Sequence, residues 1–209
     1  MTAASDGSAT APAPQAAAAA PPTSAPAHTA PPPRALPGGG QQRLHRLVAI
    51  VVDKPGVLNR VSSLMRARNF NIDSLAVSRT DRDGLSRMTI SLHGDDVAVE
   101  QATKQLYRLI DVLKVQDVTA EPTVEHELAL VKVKVAEGNR ADVLKLIELT
   151  RGRVLDVSPE SVIAEVTGSE AEIDNFVACV RDFGIKELVR TGAVVMARGS
   201  SSIEEAVKR

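Results

Sequence analysis

From Leu44 onward, the apolar residues change repeatedly between two spacings that predict strands and helices in turn. Runs of strand length, or with alternating apolar residues, predict strands, and they occupy residues 44–52, 70–78, 88–92 and 112–120. Helical spacing predicts one helix over residues 56–69 and a second after Gly94-Asp95-Asp96. The predicted order of elements is therefore β-α-β-β-α-β.

The same order begins again after the break Glu121-Pro122-Thr123. The predicted strands cover residues 128–135, 154–157, 162–166 and 185–190, and the helices cover 139–150 and 170–183. The three prolines outside the N-terminal segment all fall at junctions between predicted elements, which supports the division. We therefore predict an α+β fold of two consecutive ferredoxin-like βαββαβ domains, residues 43–121 and 124–198, followed by a flexible C-terminus over 199–209.

Residues 1–42 differ from the rest of the chain in composition. This segment contains nine of the twelve prolines and many alanines. Such a composition buries too little apolar surface to offset the entropy of ordering, so we predict a disordered tail. A transit peptide would be rich in arginine, which does not fit, because Arg34 is the sole arginine among residues 1–42.

Composition and charge argue against several classes of protein. The net charge is −1 and aromatic residues make up 2% of the chain, so we expect no nucleic-acid partner. Cys179 is the single cysteine, which suits a reducing compartment, and no apolar run approaches the length of a membrane span. We therefore expect a cytoplasmic protein that does not bind a membrane.

The segment from Asp53 to Leu58 is a candidate anion site built from backbone. Neither Lys54 nor Pro55 can cap the following helix with a side-chain acceptor, so the N–H groups of Gly56, Val57 and Leu58 should be available at the positive end of the helix dipole. Asp53 could accept from an ammonium group. A carboxylate beside backbone donors suits an α-amino acid, although the same residues also form an ordinary turn.

A second candidate element is the strand that follows the first helix. Asn71 offers a donor and an acceptor at its start, and Asp73 is its sole charged residue between Ile72 and Ser78. We predict that this strand is a sheet edge, and an open edge of this kind favours pairing with a second copy of the chain. The second domain has no Pro-Gly turn at the corresponding position, so only the first domain has a plausible ligand turn.

The remaining signals have structural explanations. The histidines show no metal-ligand spacing, Cys179 is expected to be a buried or half-buried structural thiol, and Asp95-Asp96 is explained by helix capping. We interpret the arginines of the first helix as a solvated face. Because no nucleophile, acid–base pair, metal site or cofactor motif is present, we expect that the chain is not an enzyme on its own.

Taken together, these segments resemble a known family. Asp53-Lys-Pro-Gly-Val-Leu-Asn-Arg-Val61 and Asn69-Phe-Asn-Ile-Asp-Ser-Leu75 resemble the ligand-binding half of an ACT domain. With Leu85-Ser-Arg-Met-Thr-Ile90, Gln105–Leu113 and Arg151-Gly-Arg-Val-Leu-Asp-Val157, they resemble the small, regulatory subunit of acetolactate (acetohydroxyacid) synthase. The resemblance covers about Leu44 to Gly199.

The resemblance implies a non-catalytic regulatory subunit. Such a subunit binds and activates the large catalytic subunit, a transferase that carries thiamine diphosphate, Mg²⁺ and FAD, and it confers feedback inhibition by valine or a related branched-chain amino acid. No cofactor is expected in this chain. A stand-alone amino-acid sensor of the same fold is the alternative.

The resemblance also implies where the effector binds. Valine would lie between two ACT domains of a homodimer, where Asp53, Gly56, Val57 and Leu58 of one chain face Asn71 and Ile72 of the other. The family often has asparagine where this chain has Asp53. The chain departs from the family pattern at this residue, and the contact that its carboxylate makes with the effector is left open.

Overall fold

The structure is a computed structural model that describes residues 42–200 and 202–207. The first domain consists of β1 (Arg43–Val52), α1 (Val57–Ala67), β2 (Ile72–Arg79), β3 (Leu85–Gly94), α2 (Asp96–Leu106) and β4 (Val112–Asp117). Its strands form an antiparallel sheet of order β2-β3-β1-β4. The prediction of a ferredoxin-like βαββαβ domain is confirmed.

The second domain repeats this topology and adds one strand. Its elements are β5 (Thr123–Lys134), α3 (Arg140–Leu149), β6 (Arg153–Ser158), β7 (Ser161–Gly168), α4 (Glu170–Val180), a 3₁₀ turn (Arg181–Phe183), β8 (Ile185–Arg190) and β9 (Val194–Ala197). The sheet order is β6-β7-β5-β8, and β9 pairs with the first four residues of β5. The predicted second ferredoxin-like domain is therefore also confirmed.

Local sequence explains where the helices begin. The side chain of Asp95 accepts a hydrogen bond from the Ala98 N–H at 2.7 Å and caps α2, as predicted. Ser169 and Glu172 form a capping box at the start of α4. Helix α1 lacks a side-chain cap, which sets its N-terminus apart from those of α2 and α4.

Each domain has its own apolar core between its sheet and its two helices. The cores are built from every second residue along the strands, which faces inward, and from helix residues spaced three and four apart. In the first domain these include Leu47, Val61, Met65, Ile90, Val99 and Leu106. In the second domain they include Val131, Val143, Ile147, Ala164, Ile173 and Phe176.

A third, smaller apolar cluster joins the two domains. It lies on the face of the first sheet that its helices leave open, and consists of Val48, Val118, Ala193, Val195 and the partly buried Ile203. Strand β9 is not among the predicted elements, because its four residues after a Thr-Gly turn carry little periodicity. The flexible C-terminus over 199–209 stays a prediction, and within it Ile203 is partly buried and packs against this cluster.

Two further expectations have an outcome in the structure. Strand β2 is an edge of the first sheet, as predicted, and Val77 on it is 44% exposed. Cys179 is exposed, so its interpretation as a buried or half-buried thiol is wrong. The inward face of α4 is formed by Ile173, Phe176, Val177 and Val180, and helical geometry turns residue 179 away from that face.

The predicted tail, residues 1–42, lies outside the described residues except for Gln42. No helix within the described ranges has both the length and the apolarity needed to cross a bilayer.

Candidate functional site

The turn between β1 and α1 has the backbone that the sequence predicts. Strand β1 ends at Val52, and Gly56 is the N-cap residue of α1 with φ of 85° and ψ of −7°. This left-handed conformation is strained for most residues with a Cβ atom, so the backbone favours glycine here. No side chain caps the helix.

The free donors at this turn differ in part from those predicted. The Val57 N–H donates to the Lys54 carbonyl at 3.4 Å, so it is not free, and the prediction is corrected at this residue. The N–H groups of Gly56, Leu58 and Asn59 have no acceptor among the described residues. Three donors at the positive end of the α1 dipole therefore remain for an anion.

Charged side chains surround these donors. Asp53 Oδ2 lies 3.0 Å from Arg79 Nε, and the Asp53 N–H donates to the Gly84 carbonyl at 2.7 Å, which joins this turn to the turn between β2 and β3. Arg60 Nη1 lies 3.5 Å from the position that a Cβ atom on Gly56 would take. Another guanidinium nitrogen of Arg60 binds the Asp111 carboxylate.

Arg60 and Arg79 are the residues that sequence reasoning missed at this turn. We interpreted Arg60 as part of a solvated face, but it lies one helical turn after Gly56, and this spacing of four residues could have indicated that it reaches the N-terminus of α1. Arg79 carried no local signal, because its contact with Asp53 depends on the pairing of β2 within the sheet.

Asn71 and Ile72 lie at the opposite end of the sheet from this turn. Ile72 pairs with Leu92, which pairs with His45, whereas β1 reaches the turn at Val52. Seven residues of strand at about 3.4 Å each separate the two levels by about 24 Å. The structure therefore brings Asp53, Gly56, Val57 and Leu58 together, but does not bring Asn71 and Ile72 to them within one chain.

The chemistry of the turn suits a small zwitterion more than a metal or a reaction. Backbone donors and Arg60 can bind a carboxylate, and Asp53 can accept from an ammonium group.

His45 is buried, and its Nδ1 lies 3.3 Å from Asp117 Oδ2. Within residues 42–200 and 202–207, no group of three or more His, Cys, Asp or Glu side chains could hold a metal ion.

Family models match both domains of this chain. Residues 47–114 match the model described as an AHAS small subunit-like ACT domain, and residues 126–199 match the model for the small subunit of acetolactate synthase. The two matches together span most of the described residues.

Individual relatives agree with the family models. The chain is 49% identical over 156 residues to a probable acetolactate synthase small subunit from Archaeoglobus fulgidus, covering 75% of this chain and 98% of the relative. It is 47% identical over 167 residues to the acetolactate synthase small subunit of Aquifex aeolicus, covering 79% and 87%.

A solved structure extends the agreement to the arrangement of the backbone. The crystal structure of the acetolactate synthase small subunit from Thermotoga maritima superposes with a TM-score of 0.71 at 36% identity, covering 76% of this chain and 99% of that one. Sequence and three-dimensional similarity both extend across the two domains, and the chain belongs to the family of acetolactate synthase small subunits.

Proposed function

We propose that this chain is the regulatory subunit that activates the catalytic subunit of acetolactate synthase and confers feedback inhibition by valine or a related branched-chain amino acid. The observation that carries the proposal is the β1–α1 turn, where the free N–H groups of Gly56, Leu58 and Asn59 lie close to Arg60 and Asp53. Donors for a carboxylate and an acceptor for an ammonium group lie together in that turn. Thiamine diphosphate, Mg²⁺ and FAD would belong to the catalytic partner.

The proposed site is completed by a second copy of the chain. Antiparallel pairing of two β2 edges about a two-fold axis at the middle of the strand would place Ile72 of one copy beside Arg79 of the other. Because Arg79 contacts Asp53, this pairing would place Asn71 and Ile72 of one copy close to the effector turn of the other. A homodimer joined at β2 therefore removes the separation of about 24 Å that exists within one chain.

The apolar side chains at the turn suit the side chain of a branched amino acid. Leu58 is 44% exposed on the first turn of α1, and Ile72 is half-buried at the start of β2. In the proposed dimer these two side chains, from different copies, would flank the aliphatic part of the effector. Binding would then shift the equilibrium between dimer states that the catalytic subunit distinguishes.

The test compares two substitutions at one position. Gly56→Asp would place a carboxylate within reach of Arg60, in the space proposed for the carboxylate of the effector, whereas Gly56→Asn adds a side chain of the same size without the charge. Both residues tolerate the left-handed backbone better than most residues do.

We expect that Gly56→Asp abolishes valine binding by calorimetry and valine inhibition of the holoenzyme, and that Gly56→Asn retains more of both. Titration with valine, leucine and isoleucine separately would rank the effectors. Equal inhibition of the Gly56→Asp variant and the unsubstituted chain would refute the site. Sedimentation of the chain as a monomer at micromolar concentration would refute the dimer.

A further inference from the structure

The turn between β8 and β9 of the second domain lies directly against β2 of the first. A Cβ atom on Gly192 would lie 2.9 Å from Ser74 Cβ and 3.1 Å from Ser74 Oγ, closer than packed carbon atoms approach each other. Gly192 also has φ of 74°, which favours glycine for a separate reason. The two domains therefore touch at a point where no side chain fits.

The second domain holds this turn firmly. The Thr191 N–H donates to the Leu128 carbonyl, and the Leu128 N–H donates to Thr191 Oγ1, both at 3.1 Å. Arg190, just before the turn, forms ion pairs with Glu127 at 2.6 Å and Asp174 at 2.7 Å. The turn is thus attached to strand β5 and helix α4.

Ser74 belongs to the distorted first part of β2. Its Oγ donates to Ser91 Oγ on β3 at 2.9 Å, and the register of β2 with β3 shifts between Ile72 and Ser74. An irregularity of this kind changes the local twist of a strand, so the start of β2 is the part of the strand most able to adjust. Ser74 is two residues from Ile72 and three from Asn71.

A cavity lies beside the contact and gives it room to change. Its volume is about 440 Å³, and its walls include Asp73, Ser74 and Leu75 from β2, and Thr191, Gly192 and Ala193 from the turn. The tight contact between Gly192 and Ser74 therefore has open space next to it, so the two segments can move while they stay in contact.

We propose that the contact of Gly192 with Ser74 transmits effector binding at the start of β2 to the second domain. This inference rests on the proposed function, since it assumes that an effector binds at Asn71 and Ile72. A ligand that orders the start of β2 changes the position of Ser74, and the turn responds because it has no side chain to absorb the shift. Gly192 and Ser74 act as positioning residues that do not touch the effector.

The experiment uses a glycine control with a similar backbone. Gly192→Ala adds a Cβ atom against Ser74, whereas Gly199→Ala adds one at φ of 91° with no atom within 4 Å. The two substitutions introduce similar backbone strain, and the contact distinguishes them. The double variant Gly192→Ala with Ser74→Gly removes the close approach while keeping the alanine.

We expect that Gly192→Ala binds valine in the isolated subunit and activates the catalytic subunit, but needs about fivefold or more valine for half-inhibition. Gly199→Ala should match the unsubstituted chain, and the double variant should recover most of the inhibition. If Gly192→Ala does not fold, Ser74→Gly alone, which opens the same contact, should weaken inhibition.

The outcomes separate the two proposals. If the unsubstituted chain binds no valine, the proposed function itself is wrong. If that chain binds valine and confers inhibition, but Gly192→Ala gives the same inhibition curve as Gly199→Ala, the coupling proposal alone is overturned. Equal inhibition curves for Ser74→Gly and the unsubstituted chain would likewise overturn it.

Discussion

Replacement of Arg46 by methionine tests how strongly the two domains are joined. Arg46 lies on β1, is 8% exposed, and binds Glu125 on β5 and Glu170 at the start of α4. Burial lowers the pKa of Arg46, but the ion pairs with Glu125 and Glu170 outweigh this effect and raise the pKa above its usual value. One guanidinium group of the first domain thus forms ion pairs with two carboxylates of the second.

The size of the effect follows from the geometry of the three groups. Glu125 Oε1 and Glu170 Oε2 lie 2.5 Å and 2.7 Å from the same nitrogen, Arg46 Nη2. The two oxygens can therefore be at most about 5 Å apart, and without the arginine two carboxylates at that separation would repel each other by about 3 kcal/mol at an effective dielectric constant of about 20. Glu125 and Glu170 are 27% and 39% exposed, so water screens part of this repulsion.

Lost charge-assisted hydrogen bonds add to the remaining repulsion. We therefore expect Arg46→Met to lower the free energy of unfolding by about 2–4 kcal/mol. Adding Glu125→Gln and Glu170→Gln to this variant removes the repulsion, so it should restore a large part of that loss.

The assay is urea denaturation followed by circular dichroism, with Arg43→Met as the matched control. Arg43 lies on the same strand and binds Asp96, but these side chains are 49% and 74% exposed. Arg43→Met should therefore cost less than about 1 kcal/mol. If Arg46→Met and Arg43→Met lower the free energy of unfolding equally, the argument that Arg46 joins the domains is wrong.

Two further predictions concern local interactions. Tyr107 Oη donates to the Val115 carbonyl at 2.9 Å and accepts from the Val115 N–H at 3.0 Å. Tyr107→Phe should therefore lower the free energy of unfolding, measured by urea denaturation, by about 1 kcal/mol. An unchanged free energy of unfolding would contradict this. The backbone and side chain of Ser169 donate to Glu172 and hold the pKa of its carboxyl below the usual value. A lowered folded-state pKa gives stability that is present above the ordinary pKa of about 4.5 and is lost as the pH falls through the folded-state value. Below about pH 4.5, acid should therefore destabilise the unsubstituted chain more steeply than the Glu172→Gln variant. Thermal melts from pH 6 to pH 3 would measure this difference, and parallel curves would contradict it.

Local spacing in the sequence determined the secondary structure and much of the β1–α1 turn. Helix caps, strand alternation and the unusual Pro-Gly turn depend on residues within a few positions of one another, so their physics is visible without a fold. For this reason, the two βαββαβ domains, the Asp95 cap and the uncapped start of α1 at Gly56 were predictable.

Contacts between distant residues were decided by the tertiary structure. The side chain that reaches a given atom depends on strand order, register and domain packing, and these place Arg79 on Asp53, Arg46 between two glutamates, and Gly192 against Ser74. Strand β9 and residues 202–207 show the same limit, because their partners lie far away along the chain and their own sequence has little periodicity.

The proposed effector site combines both kinds of information. The sequence by itself determined a turn with free N–H groups at Gly56 and an edge strand beginning near Ile72, since both follow from local backbone chemistry. The tertiary structure alone decided that they lie at opposite ends of one sheet, about 24 Å apart, because strand register sets that distance.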